Sequence, residues 1–168
     1  GFISENTAKL ISKKAKFVAL NAQINAANIG LHSLNKYQKV DCIIINEKEL
    51  RHEFRDKNSE IKPLMKKLSE LRKAKKLIVT QGKSGSILYD KTKNSFIKIQ
   101  AFAGSAVDKI GAGDTMLTLS SLCFKVGLDN FVSLLIGSIG AAESVKNFGN
   151  KEMINKTQII KTLEHISK

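Results

Sequence analysis

Cysteine is scarce in this chain. The two present, Cys42 and Cys123, each lie inside an apolar run, which fits reduced core thiols in a cytoplasmic protein and excludes a disulfide framework. His32, His52 and His165 stand far apart with no ligand spacing, so no zinc site is expected. Long apolar runs are also missing. The longest block, around Phe131 to Ala142, is too short to span a bilayer, and Lys125 and Asp129 separate it from the block before it. No signal peptide opens the sequence, because Gly1-Phe2-Ile3-Ser4 passes directly into a polar amphipathic segment. A membrane partner is therefore not expected.

Acidic residues are few, 15 against 28 Lys and Arg, giving a net charge of +13. That balance favours anionic partners: nucleotides, phosphorylated metabolites or nucleic acid. The lysines are spread over helix faces, where solubility explains them. No stripe of arginines interleaved with aromatics is present, which disfavours nucleic acid. What is there in quantity is apolar: 42% of 168 residues, enough to bury the core of one domain spanning residues 1–168, with no repeat, low-complexity tract or linker to divide it.

Ser4 caps an early helix carrying Ala8, Leu10, Ile11 and Ala15, and "KFVALN" then reads as a buried strand. The asparagine-rich "AQINAANIGLHSLNKY" reads as a loop before a second strand, "VDCIIIN". Helices follow from about Glu47 to Phe54 and about Ser59 to Lys73, the second carrying Pro63, the only proline, in its first turns, with Ile61, Leu64, Met65, Leu68 and Leu71 on one side. "KKLIVTQG", "GSILYD" and "SFIKIQAF" read as strands, the last two as an antiparallel edge around a Lys-Thr-Lys-Asn turn. From Gly113 the chain is helical: one helix to Val126 ended by Gly127, another from Asp129 to about Val145, and a last one from Thr157. Phe124, Phe131 and Leu134 are expected packing residues. The order of elements is that of an α/β protein with a mostly parallel sheet.

One stretch is chemically unusual. "GAGD" at Gly111, Ala112, Gly113 and Asp114 sits where a long apolar helix begins. The first amides of a helix have no intrahelical partner, and small residues there let an anion approach the backbone. Asp114 is either a carboxylate complementing the helix dipole or a base held beside a phosphate. Two tempting motifs fail. Gly82-Lys83-Ser84 has the ending of a P-loop, but Leu77 stands where its first glycine belongs, and no G-x-G-x-x-G follows a strand.

A strand, N-E-x-E-L at Asn46 to Leu50, a helix, a strand, V-T-x-G-x-x-G at Val79 to Gly85, two edge strands, then D-x-x-G-A-G-D at Asp108 to Asp114 and a long helix: in this order and spacing the chain resembles the C-terminal half of the ribokinase-like (PfkB-type) carbohydrate kinases. The resemblance implies a three-layer ribokinase-like fold, a mostly parallel sheet with helices on both faces and an antiparallel edge, and an N-terminal half absent from this sequence. It implies transfer of a phosphoryl group from ATP to a hydroxyl of a sugar or sugar phosphate. Asp114 would be the general base, with Gly111, Ala112 and Gly113 as the anion hole. Asn46 and Glu49 would act on Mg2+ and the phosphates through water, and Thr80, Gly82, Gly85, Asn147 and Gly149 would line the nucleotide. Asp108 resembles a monovalent-cation ligand of the K+ type, although Lys109 replaces the usual small or hydroxyl residue beside it. After the GAGD turn, Thr115-Met116-Leu117-Thr118-Leu119 replace the family's small and aromatic residues, so helix packing there is expected to differ. "VALNAQINAANIGLHSLNKY" resembles the heptose-phosphate kinase type, which brings in a fused or partner nucleotidyltransferase; homodimer formation is left open. The alternative function is a non-catalytic nucleotide- or phosphate-binding regulatory module.

Overall fold

The computed structural model describes residues 3–21, 34–37, 39–102, 111–145 and 154–166. They fall into two compact units: Gly1–Thr80 with Ile87–Phe96, and Gln81–Ser86 with Ile97–Lys168.

The first unit is built on the sheet. Helix α1 (Glu5–Lys14) starts at Ser4, whose hydroxyl accepts the Thr7 amide at 3.2 Å. Ala8 and Ser12 are its buried residues, while Leu10 stays 54% exposed. Strand β1 (Ala19–Asn21) pairs in parallel with β2 (Cys42–Asn46), which pairs in parallel with β3 (Lys76–Thr80). β1 begins later than its apolar run because Asp41 takes over the preceding position. Its carboxylate accepts the Val18 amide at 3.0 Å, and the Asp41 and Cys42 amides donate to the Val18 carbonyl. Ile43, Ile44 and Ile45 are all buried, the continuous apolar pattern of a parallel strand shielded on both faces.

Helix α2 (Glu47–Phe54) ends at Arg55 in the left-handed region, and α3 (Ile61–Arg72) ends at Lys73 in the same conformation. Between them Asp56 accepts the Asn58 and Ser59 amides, and the Ser59 bond, first among its causes, holds the Asp56 carboxyl below the usual aspartate value. Leu50 from α2 and Leu64, Met65 and Leu68 from α3 pack with Ile43, Ile45, Leu77 and Val79 in one core that also holds Tyr89. The buried stripe of α3 stops at Leu68 and Ser69, and Leu71 is 58% exposed. Strands β4 (Ser86–Asp90) and β5 (Ser95–Ile99) complete the sheet order β1-β2-β3-β4-β5. Their short connections, 81–85 and 91–94, admit only antiparallel neighbours, and the Lys91 amide at the end of β4 reaches the Lys75 carbonyl just before β3. The sheet is thus mixed, parallel on one side and antiparallel at the other edge.

The second unit is helical. Helix α4 (Ala112–Lys125) turns at Gly127, φ 82°, into α5 (Asn130–Ser144), whose first turn is capped by Asp129. α4 and α5 meet through the glycines of α5. A Cβ on Gly137 would lie 1.9 Å from Ser120 Oγ, and one on Gly140 would lie 2.2 Å from Leu119 Cδ1. The glycines stand on the second helix, so large side chains on α4 pack closely against it. Met116 approaches Gly137 in this contact, and Leu134 and Ile139 of α5 are buried, whereas Phe131 is 48% exposed. Helix α6 (Lys156–Ile166) contributes no buried residue. Among the described residues no helix is long and apolar enough to cross a membrane.

Candidate functional site

The first group of candidate residues lies at the carboxyl ends of β2 and β3, the edge where open parallel sheets bind ligands. Asn46 closes β2 and is the register partner of Thr80, which closes β3. Asn46 is also the N-cap of α2. Its Oδ1 accepts the Glu49 amide at 2.9 Å, and Glu49 Oε2 accepts the Asn46 amide at 2.9 Å. The pair forms a reciprocal capping box. Asn46 is exposed, but Glu49 is only 8% exposed. The spacing that marks N-x-x-E in kinases is also the spacing of a capping box, Asn followed three residues later by Glu, and the sequence reading passed over that second meaning.

The second group lies in the turn after β3. Gly82 has φ 58° and Gly85 φ 87°, both in the left-handed region, and the Gln81 amide closes the turn on the Gly85 carbonyl at 2.8 Å. At Gly85 the requirement for glycine is doubled, because a Cβ there would sit 1.9 Å from the Ile99 carbonyl oxygen. The backbone of this turn is therefore bare of side chains where it packs.

The third group is the start of α4. Gly111 is its N-cap with φ 87°, and among the described residues no side chain caps the first turn. The Thr115 amide donates to the Gly111 carbonyl at 2.9 Å, so regular helical bonding starts there and the amides of Ala112, Gly113 and Asp114 precede it. Asp114 is exposed, and among the described residues its carboxylate makes no hydrogen bond or ion pair. Its backbone carbonyl accepts the Thr118 hydroxyl at 2.9 Å.

Asp108, Asn147 and Gly149 lie outside the described residues. Neither cysteine competes as a nucleophile. Burial pushes the Cys42 thiol up to about 12, with Lys76 opposing and Asp41 adding, and burial likewise raises Cys123.

These groups fit the parts of a magnesium nucleotide unequally. The α4 start offers first-turn amides that no described side chain caps, of the kind that hold phosphate oxygens. Magnesium needs oxygen ligands in a near-octahedral set, usually carboxylates together with substrate phosphates. Among the described residues no group of three or more His, Cys, Asp or Glu is arranged to hold a metal ion. Asn46 and Glu49 spend Oδ1 and Oε2 on each other's amides.

The fold is a known one. It superimposes on Arabidopsis thaliana ribokinase complexed with ribose and ATP with a TM-score of 0.76, covering 95% of this chain and 51% of that one at 22% identity. This likeness establishes the class: an α/β protein of the ribokinase-like fold. Residues 4–152 match the pfkB family of carbohydrate kinases, and the chain belongs to that family. It is 28% identical over 159 residues to the ribokinase of Lactococcus lactis subsp. lactis (strain IL1403), covering 95% of this chain and 50% of that protein. It is 29% identical over 119 residues to the bifunctional protein HldE of Desulfatibacillum aliphaticivorans, covering 68% of this chain and 24% of that protein. The chain spans half or less of the length of these relatives.

Proposed function

We propose that this chain is the ATP-handling part of a carbohydrate kinase that moves the γ-phosphoryl group of ATP to a hydroxyl of a sugar or sugar phosphate. Asp114 is the general base. Its carboxylate takes the proton of the acceptor hydroxyl as that oxygen bonds to the γ-phosphorus, and the bond to the β-phosphate oxygen breaks to release ADP. The backbone at Gly111, Ala112 and Gly113 receives the charge that builds on the transferring group. Thr80, Gly82 and Gly85 lie along the nucleotide, with Asn147 and Gly149 as further contacts carried by the family resemblance. Magnesium, bound with the phosphates of ATP, would neutralise their charge; K+ at Asp108 rests on the resemblance alone.

The observation that carries this reading is the start of α4: a left-handed glycine cap whose first turn no described side chain caps, and an exposed carboxylate in the same turn that pairs with no described residue. An ordinary ionised aspartate suffices there, because phosphoryl transfer depends on positioning and charge stabilisation more than on an unusual base. A fused or partner nucleotidyltransferase, brought in by the heptose-phosphate kinase resemblance, is compatible with the likeness to the bifunctional protein HldE. The test is Asp114→Asn in a full-length kinase carrying this chain. Turnover should fall by about a thousandfold with nucleotide affinity retained; turnover like that of the unmodified enzyme would remove Asp114 from the role of base.

A further inference from the structure

The tip of the α4–α5 pair is unlike the rest of the surface. Leu122 and Val126 stand one turn apart at the end of α4, and Leu128, Phe131 and Val132 follow at i, i+3 and i+4 around the start of α5. All five are exposed, Val126 to 72%. The reversal between them is tight: the Gly127 amide donates to the Phe124 carbonyl at 3.2 Å, and the Leu128 amide to the Cys123 carbonyl at 3.0 Å. Both groups are thereby gathered at one end of the helix pair. A Cβ on Gly127 would meet nothing within 4 Å, so none of the described residues closes over the turn.

A single exposed leucine needs no explanation, but this many large apolar side chains in one short stretch form the kind of patch that marks an interaction surface. The charge pattern narrows the partner. Residues 115–142 carry two charges, Lys125 and Asp129, whereas the whole chain carries +13. An anionic partner, whether nucleic acid or acidic protein, would find no cluster of cations here. A helix that lies on a membrane surface needs Lys and Arg along its polar face, and this segment has a single lysine. What fits the tip is another neutral, apolar surface.

We infer that the α4–α5 tip is the contact by which two copies of this chain associate about a two-fold axis. Elsewhere the excess of lysine makes one copy repel another; at the tip that repulsion is weakest, because its charges sum to zero. In a two-fold contact the same patch meets itself, each residue facing in the other copy what that copy's equivalent residue faces in the first. Lys125 and Asp129, of opposite sign and four residues apart, then meet as opposite charges across the axis. Leu122, Val126 and Phe131 supply the apolar centre. The contact is small, which sets the association in the micromolar range. Nothing in it requires ATP or the proposed kinase activity.

The experiment is sedimentation equilibrium of this chain at micromolar concentrations and moderate salt. A reversible monomer–dimer equilibrium with no larger species is expected. Val126→Lys adds a second cation to the patch, at a helix C-terminus where its charge suits the dipole. It should weaken dimerisation by about thirtyfold and leave the melting temperature unchanged. Leu122→Ser should act in the same direction, and it decides the question if Val126→Lys fails to fold. Lys125→Glu should weaken association at low salt, and the loss should shrink as salt screens the like charges. A chain that stays monomeric throughout overturns the inference, and so does growth beyond the dimer, which a closed two-fold contact forbids. A dimer untouched by Val126→Lys and Leu122→Ser overturns it as well, by placing the contact elsewhere, such as the β1 edge of the sheet. A full-length kinase carrying this chain that is monomeric at the same concentrations would also overturn it, since the rest of the kinase would then be what covers the tip.

Discussion

Two helices begin at candidate functional residues, and they begin in opposite ways. The start of α2 is closed by side chains, with Asn46 and Glu49 satisfying each other's amides. The start of α4 has no side-chain cap among the described residues, because Gly111 takes the cap position in the left-handed region. A side-chain cap stabilises a helix end by occupying the very amides that an anion would need. A glycine cap gives up that stabilisation and leaves the amides available. The short helix α2 therefore has a local cap besides Leu50 in the core, whereas α4 is held by its glycine-mediated contact with α5.

The largest expected effect breaks the open helix start chemically. Asp114→Asn in a full-length kinase should reduce turnover by about a thousandfold with little change in nucleotide affinity, read by steady-state kinetics beside calorimetry. Next comes the support of α4. Gly137→Ala places a Cβ 1.9 Å from Ser120 Oγ and should cost about 1–3 kcal/mol in denaturant unfolding. Adding Ser120→Ala should recover most of this loss, because the buried Ser120 hydroxyl has no hydrogen-bond partner among the described residues and its removal frees the contested space. Failure of the double variant to recover would mean that the Cβ is resisted by backbone and not by the hydroxyl.

Gly111→Ala should cost about 1–2 kcal/mol through its left-handed backbone and should weaken Mg-ATP binding as well. The smallest effect belongs to the closed helix start. Asn46→Ala should cost about 1 kcal/mol through fraying of α2, visible as faster amide exchange at Glu49. Equal effects of Gly111→Ala and Asn46→Ala on Mg-ATP affinity would erase the distinction between the two helix starts.

Much of this was legible in the residues. The Glu47–Phe54 helix, the Ser4 and Asp129 caps and the stop at Gly127 all follow from short-range rules of capping and chain reversal. The order of motifs led to the family that residues 4–152 match. Less legible were features whose meaning lies far away in the chain. Phe131 and Leu71 look like core residues in sequence, yet both are largely exposed, since apolarity does not tell which stripe of a helix will find a partner. Gly137 and Gly140, three residues apart in an apolar helix, are a readable sign of close packing, but the partner they admit is set by the fold.

By itself the sequence determined what local chemistry dictates: where helices start and stop, which stretches extend, and that a glycine-flanked aspartate opens a long helix. Tertiary structure alone decided that Asn46 stands beside Thr80 at the carboxyl edge of parallel strands, that Glu49 is buried, and that α5 supplies the space for α4. The reason is that caps and turns depend on residues a few positions apart, whereas register, burial and interhelical fit are set by partners that only the folded chain brings within reach.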